Sequence, residues 1–379
     1  MTLKKVHILN MMLLISSIVI SILIAEVLLQ LAGIPDPVVS GWRNKRSDEE
    51  TNQAGFRGQK FDYTDNDYVI VLVGDSQVAA AALSFDGLPE RRLEYYLNRR
   101  VGKKSIKVFS IGGVGYGQDQ ELLILHKYYQ EHRADLVVLW LTPFNDVWNN
   151  VFPTHWPRNG RPKPTFWIEQ GRLQGPNEKM GEELGWSKFR LFALANRLFE
   201  FIDRDGEWEK HLPEAYKPIS LYEGKICNDW QSKWDSNVSL IRDENLATEK
   251  SHYAMSLAPV SPRTRYGMDL TRLLLSEISD LAAKNNSGFA IFDVQLPEQA
   301  ENICPEDEVV HLLNGKYYKT SKKQEQDNWQ YIMTGFRYFT IPVAIPQWQI
   351  DRWDKRHLNE RANDQVMSDL AKHLQPFVK

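Results

Sequence analysis

The chain has 379 residues and a formal net charge of −3 at pH 7, with 25% charged and 42% hydrophobic residues. That length accommodates a full α/β domain with insertions, and without a basic excess nucleic acid is not an expected partner. Cys227 and Cys304 lie in no CxxC pair and no zinc-ligand spacing, which excludes a disulfide framework and a structural zinc site; a single disulfide between them stays open.

Met1 to Lys5 is short and basic, and Ile8 to Leu31 is strongly apolar, about the 20 residues a membrane helix needs. An uncleaved anchor is favoured over a signal peptide. The run exceeds an h-region of about 7–15 residues, and no small-x-small cleavage site follows. Lys4 and Lys5 favour a cytoplasmic N-terminus; Arg43, Lys45 and Arg46 oppose it from farther away. The rest of the chain is then expected outside the cytoplasm, in a bacterial periplasm. Pro35, Pro37 and Gly41 mark a linker. The expected organisation is an anchor over 1–34, a linker and approach segment over 35–66 containing Gly55-Phe56-Arg57-Gly58, and a domain over 67–379.

From Tyr68 the pattern is regular. Strands are predicted over Tyr68–Val73, Ile106–Ile111 and Leu136–Leu141, and helices near Ala79–Ala82 and over Pro89–Arg100 and Gln118–Gln130. Continuous apolar strands alternating with helices imply a parallel sheet covered on both faces. Phe152 to Thr264 breaks the pattern with prolines, charges and tryptophans, including Trp156, Trp167, Trp186, Trp208, Trp230 and Trp234. So long a segment is an insertion with structure of its own, with an amphipathic helix expected over Lys188–Ile202. Its tryptophans suit sugar stacking, but core packing is the commoner use of such residues. Regularity returns with a helix over Met268–Lys284 and a strand over Gly288–Val294. Pro297 to Gln330 reads as polar and irregular. A last strand is expected over Tyr338–Ile345, interrupted by Pro342, and a final helix over Asn359–Leu374 with Asn359 as its N-cap.

Chemistry is expected at strand ends. Val69 to Val73 stops at Gly74-Asp75-Ser76. A serine leaving a parallel strand lies where open α/β sheets bind ligands, so Ser76 is a candidate nucleophile; the alternative is that Asp75 or Ser76 merely caps the next helix. Gly112-Gly113-Val114-Gly115-Tyr116-Gly117 fits neither GxGxxG nor a P-loop. Its glycines permit close approach of backbone N–H groups to a reacting oxygen, or form a plain turn. Asn145, in Thr142-Pro143-Phe144-Asn145-Asp146, offers an amide to the same oxygen, or a cap. Near the C-terminus, Asp354-Lys355-Arg356-His357 places an aspartate three residues before a histidine. Such an aspartate can hold one ring nitrogen and leave the other to take a serine proton; Asp351 is the less favoured partner.

Together these pieces resemble the four ordered blocks of the SGNH/GDSL hydrolase superfamily: Gly74-Asp75-Ser76, Gly115, Asn145, and Asp354 with His357. Gly55-Phe56-Arg57-Gly58 and Gly115-Tyr116-Gly117-Gln118-Asp119-Gln120 resemble its membrane-anchored bacterial branch, often associated with extracellular polysaccharide genes. The likeness covers about 52–150 and 265–375, not the insertion. Gln77, Pro143, Ala362 and Asn363 depart from the usual flanks. The resemblance implies a flavodoxin-like three-layer α/β/α fold with a large insertion behind one transmembrane helix. It implies a triad of Ser76, His357 and Asp354 and an oxyanion hole of Ser76, Gly115 and Asn145, with no metal or cofactor. The implied activity is ester hydrolysis on O-acyl, foremost O-acetyl, groups of a carbohydrate or extracellular polysaccharide. O-acyl transfer by the same residues is an alternative, as is a non-catalytic membrane-tethered role beside polysaccharide assembly proteins.

Overall fold

A computed structural model describes residues 3–32, 50–101, 105–154, 163–177, 191, 204–222, 226–229, 245–296, 307–350 and 357–378. The chain divides into two units, one of residues 1–44 and 179–203, the other of 45–178 and 204–379.

In the first unit, helix α1 spans Leu3–Ala32. Its stretch Asn10–Leu31, 22 residues, is long and apolar enough to cross a membrane or to act as a signal sequence. From Met11 to Leu31 its large apolar side chains, Leu29 excepted, are exposed. Two polar side chains inside the stretch satisfy themselves on the helix: Ser17 and Ser21 donate to the carbonyls of Leu14 and Ser17. Glu26 is buried and accepts hydrogen bonds from Gln30 Nε2 and from the backbone N–H of Leu191, each at 2.9 Å. Leu191 is helical; the rest of the amphipathic stretch expected over 188–202 lies outside the described residues.

The second unit is α/β. Its elements in order are β1 (Tyr68–Gly74), α2 (Ser76–Ala79), α3 (Pro89–Val101), β2 (Ile106–Gly112), α4 (Gln118–Tyr128), β3 (Leu136–Trp140), α5 (Pro143–Val151), β4 (Trp167–Glu169), β5 (Arg172–Gln174), α6 (Arg204–Glu209), β6 (Ile226–Asp229), α7 (Pro262–Lys284), β7 (Gly288–Gln295), β8 (Glu308–Leu313), β9 (Lys316–Ser321), α8 (Lys322–Met333), β10 (Tyr338–Pro342) and α9 (Glu360–Leu374). Five strands form one parallel sheet in the order β10-β7-β3-β1-β2. Numbered by their place in the chain, these strands run 2-1-3-4-5 from one edge, the order of a doubly wound sheet.

Side-chain alternation divides the core between the two faces. Ile70 and Leu72 of β1 and Leu136 and Val138 of β3 share one cluster with Leu93 and Leu97 of α3 and with Val366, Leu370 and Leu374 of α9. Val69, Val71 and Val73 alternate with them and are equally buried; they face the other layer, where α4 and α7 pack against the sheet and each other.

Several elements differ from the sequence expectation. The helix after Gly74 is one turn beginning at Ser76 rather than Ala79–Ala82, because the Asp75 carboxylate accepts from Gln77 N–H and caps it there. Helix α7 starts at Pro262, not Met268: Ser261 caps it by accepting from Thr264 N–H, and proline takes its first position. Pro297 to Gln330 is not irregular throughout. It contains the β8–β9 hairpin and α8, and β6 extends that hairpin to three strands by pairing parallel to β8. The hairpin turns at Asn314-Gly315, both with positive φ (51° and 70°), as a two-residue primed turn requires. The last strand stops at Pro342, and Asn359 caps α9 through Ala362 N–H.

Candidate functional site

The parallel register brings three motif blocks to one end of the sheet. Gly74 at the end of β1 pairs with Gly112 on β2 and with Trp140 on β3. The loops carrying Ser76, Gly115 and Asn145 therefore leave the sheet side by side. That end, beside the first strand of a doubly wound sheet, is where such sheets hold ligands.

Asp75 leaves β1 as an N-cap (φ −93°, ψ −140°), and Ser76 is the first residue of α2. Capping and presentation of the serine are thus one arrangement. Asp75 is 1% exposed and Ser76 half-buried. Ser76 Oγ lies 2.8 Å from His357 Nε2, although 281 residues separate them. His357 stands just before α9. Its carbonyl accepts from Ile350 N–H at 3.3 Å, and Asn359 N–H donates to Trp348 O at 2.7 Å. Asn359 Nδ2 also donates to the carbonyls of Gln347 and Gln349. These bonds hold the backbone of the approach to α9, from which the imidazole meets Ser76. Asp354 and Asp351, the two expected partners of His357, lie outside the described residues.

Gly115 sits in the turn between β2 and α4 with φ +72°, a conformation in which a side chain would be strained. Tyr116 N–H closes the turn on Gly113 O (3.1 Å), and Gly113 N–H donates to Gly74 O (3.2 Å), tying the turn to the end of β1. Asn145 lies in the first turn of α5, with Pro143 at the helix start, a position that suits proline. Its amide donates from Nδ2 to Asp75 Oδ2 at 3.1 Å. Pro143 therefore does not turn Asn145 away from the serine loop.

Behind these loops lies a buried polar network that sequence reading did not assign. Asp75, Asp119, Glu121 and Asp146 are each at most 1% exposed. Gln118 Nε2 donates to Asp146 Oδ2 at 2.8 Å, and Thr142 N–H donates to the same oxygen at 2.8 Å. Asn150 Nδ2 donates to Gln118 Oε1 and to Thr271 Oγ1. Asp119 pairs with Lys163, both fully buried. Burial raises the pKa values of Glu121 and Asp146 well above the carboxylate range, and their acidic neighbours raise them further. Burial also pushes Asp75 up, against hydrogen bonds from Gln77 and Asn145 and the nearby His357, which pull it down. Asp119 is raised and Lys163 lowered by desolvation, each opposed by the other's charge. Among the described residues no three His, Cys, Asp or Glu side chains are grouped to hold a metal ion.

Lys163 belongs to the insertion, so the insertion reaches the helix that follows the Gly115 turn. His252, also from the insertion, packs its ring against Phe144 (5.6 Å between centroids) and Trp148 (5.7 Å) on α5. Lys250 pairs with Asp205 at 2.6 Å and contacts Thr154. Trp208 donates to Val151 O at 2.6 Å. Trp156, Trp186, Trp230, Trp234 and Cys304 lie outside the described residues, as does the side chain of Cys227. Lys163, flanked by prolines, carries no sequence signal of burial. Gln118 to Glu121 had one, a polar run opening a helix inside a parallel-sheet pattern.

In comparison with known proteins, no family model and no curated protein matches the chain.

Proposed function

We propose that this chain is a serine ester hydrolase of the SGNH/GDSL type, with the flavodoxin-like three-layer fold of that superfamily, tethered by α1 to the bacterial inner membrane with its α/β unit in the periplasm. The observation that carries the reading is the 2.8 Å contact between Ser76 Oγ and His357 Nε2. A helix-capping serine needs no histidine, whereas a nucleophile needs a base at that distance.

In this reading His357 Nε2 takes the Ser76 hydroxyl proton as Oγ attacks an ester carbonyl. Asp354 holds the opposite ring nitrogen and stabilises the imidazolium. Negative charge moves to the carbonyl oxygen. The backbone N–H groups of Ser76 and Gly115 and the second N–H of the Asn145 amide donate to it. The tetrahedral intermediate collapses, His357 returns the proton to the departing sugar oxygen, and an acyl-Ser76 ester remains. Water then attacks that ester as His357 takes its proton; on collapse His357 gives that proton to Ser76 Oγ, and the carboxylic acid and free serine are released. No metal or cofactor enters these steps. The substrate is an O-acyl, foremost O-acetyl, ester of a carbohydrate or extracellular polysaccharide.

Incubation with an O-acetylated polysaccharide tests this. Acetate release by the wild-type protein and none by Ser76→Ala is the expected result. Ser76-dependent appearance of acetyl groups on a sugar acceptor, without acetate release, would reassign the same site to transfer. Absence of both, with a folded protein, would leave the tethered, non-catalytic role.

A further inference from the structure

Gly55-Phe56-Arg57-Gly58 lies in the same unit as the sheet and touches both loops that carry the proposed nucleophile and its neighbouring turn. Asn52 holds this turn: its backbone pairs with Phe56 O, its Oδ1 accepts from Phe56 N–H, and its Nδ2 donates to Ser110 O on β2. The Arg57 side chain is 10% exposed. Its Nη1 donates to Ala80 O at 2.6 Å and its Nη2 to Leu83 O at 2.7 Å. Ala80 is the C-cap of α2, in the left-handed region (φ 42°, ψ 49°), and its N–H donates to Ser76 O. A four-residue helix has no length over which to average an error at its end. Whatever fixes Ala80 fixes Ser76.

The same turn braces the second loop. Arg57 O accepts from Ser110 Oγ at 3.0 Å, two residues before Gly112. Phe56 meets Tyr116 edge-on, 6.1 Å between centroids, next to Gly115. Gly58 is packed so closely that a Cβ there would lie 2.6 Å from Ser110 Oγ and 2.8 Å from Glu90 Oε2. The segment therefore has little freedom to shift against β2.

We infer that Arg57 is a positioning residue for Ser76: by holding the Ala80 and Leu83 carbonyls it sets the orientation of α2, and with it the serine hydroxyl toward His357. This rests on the reading of Ser76 as the nucleophile. A planar, forked guanidinium reaches two carbonyls at fixed separation, and a lysine ammonium does not reproduce that geometry. Glu50 contacts Arg57 at Nε, at 3.3 Å, whereas the two carbonyls are held by Nη1 and Nη2.

The test compares wild type, Arg57→Lys, Arg57→Ala and Glu50→Gln, each in the full chain. It measures turnover of a small acetyl ester, the rate of Ser76 phosphonylation by a fluorophosphonate, and melting temperature. The expected result is a folded Arg57→Lys protein whose kcat and phosphonylation rate fall together by about 10- to 100-fold. That is the scale of loss a misplacement of about 1 Å causes. KM should stay near the wild-type value, and Glu50→Gln should keep the wild-type rates. Wild-type rates in folded Arg57→Lys would overturn the inference and leave the hydrolase reading intact. Failure of both Arg57 variants to fold would make the residue structural and overturn it as well. A wild-type protein that neither turns over the ester nor labels at Ser76 would overturn the hydrolase reading and this inference with it.

Discussion

Asn145 donates to Asp75 across the end of the sheet, 3.1 Å from Nδ2 to Oδ2. The residue that caps the serine's helix thereby orients the amide proposed for the oxyanion hole. One amide N–H is spent on Asp75, and the second is the one proposed to meet the carbonyl oxygen. Charge on that oxygen arises only as the serine attacks, so the donor acts on the barrier more than on binding. Asn145→Ala is expected to lower kcat by about 100- to 1,000-fold with little change in KM. Asn145→Asp should do no better, since it sets a second buried carboxylate against Asp75. Asp75→Asn keeps an acceptor for Gln77 N–H and should cost less than Asn145→Ala. Steady-state kinetics on a small acetyl ester checks the order.

The third member of the proposed triad is separable by mutation. Removing the carboxylate that holds the histidine tautomer costs up to about 10⁴-fold in kcat in serine hydrolases. Asp354→Asn should produce a loss approaching that scale, and Asp351→Asn a much smaller one. The reverse order would make Asp351 the partner of His357.

The Lys163–Asp119 pair is fully buried, so its two halves are not independent. Lys163→Met strands a carboxylate in the core and is expected to cost about 3–5 kcal/mol, whereas exchanging both partners for apolar residues should recover most of that. Urea denaturation of Lys163→Met and of Asp119→Leu/Lys163→Met measures the difference. Equal destabilisation by both would show that the pair's value lies in packing rather than in charge compensation.

Burial also sets the direction of the pH dependence. Desolvation pushes Glu90 up to about 7 from an ordinary 4.5. The folded state thus keeps a proton that the unfolded state releases. Glu90 contributes stability that is full below about pH 4.5 and lost as pH rises to about 7, roughly 3 kcal/mol in all. Glu121 and Asp146 shift the same way. The melting temperature should therefore fall between pH 5 and 7, and Glu90→Gln should flatten that slope. A melting temperature that rises over this range would contradict the assignment.

The sequence made the site legible where its chemistry coincides with strand ends. Val69 to Gly74 is a continuous apolar run broken by Asp75-Ser76, and register then places Gly115 and Asn145 beside it without further information. The partner across 281 residues left only an Asp-x-x-His before a capped helix, and the order of the blocks supplied the rest. The β8–β9 hairpin was readable at Asn314-Gly315, but β8 is a short, mostly buried run with no polar–apolar alternation to mark it as a strand. Lys163 could not have been found: solvation energy makes a buried lysine a poor expectation, and only the fold supplies Asp119 to receive it. Arg57 stands in the Gly55–Gly58 turn, yet its use depends on the Ala80 and Leu83 carbonyls, whose approach to it only the fold supplies.

The most direct test of the central claim is the rate and position of fluorophosphonate labelling, read by peptide mass spectrometry, in wild type and in folded His357→Gln. One adduct is expected, on Ser76, in the wild-type protein, with labelling slowed by about 100-fold or more when the imidazole is removed. A wild-type protein with no adduct on Ser76, or a His357→Gln protein labelled there at the wild-type rate, would contradict it.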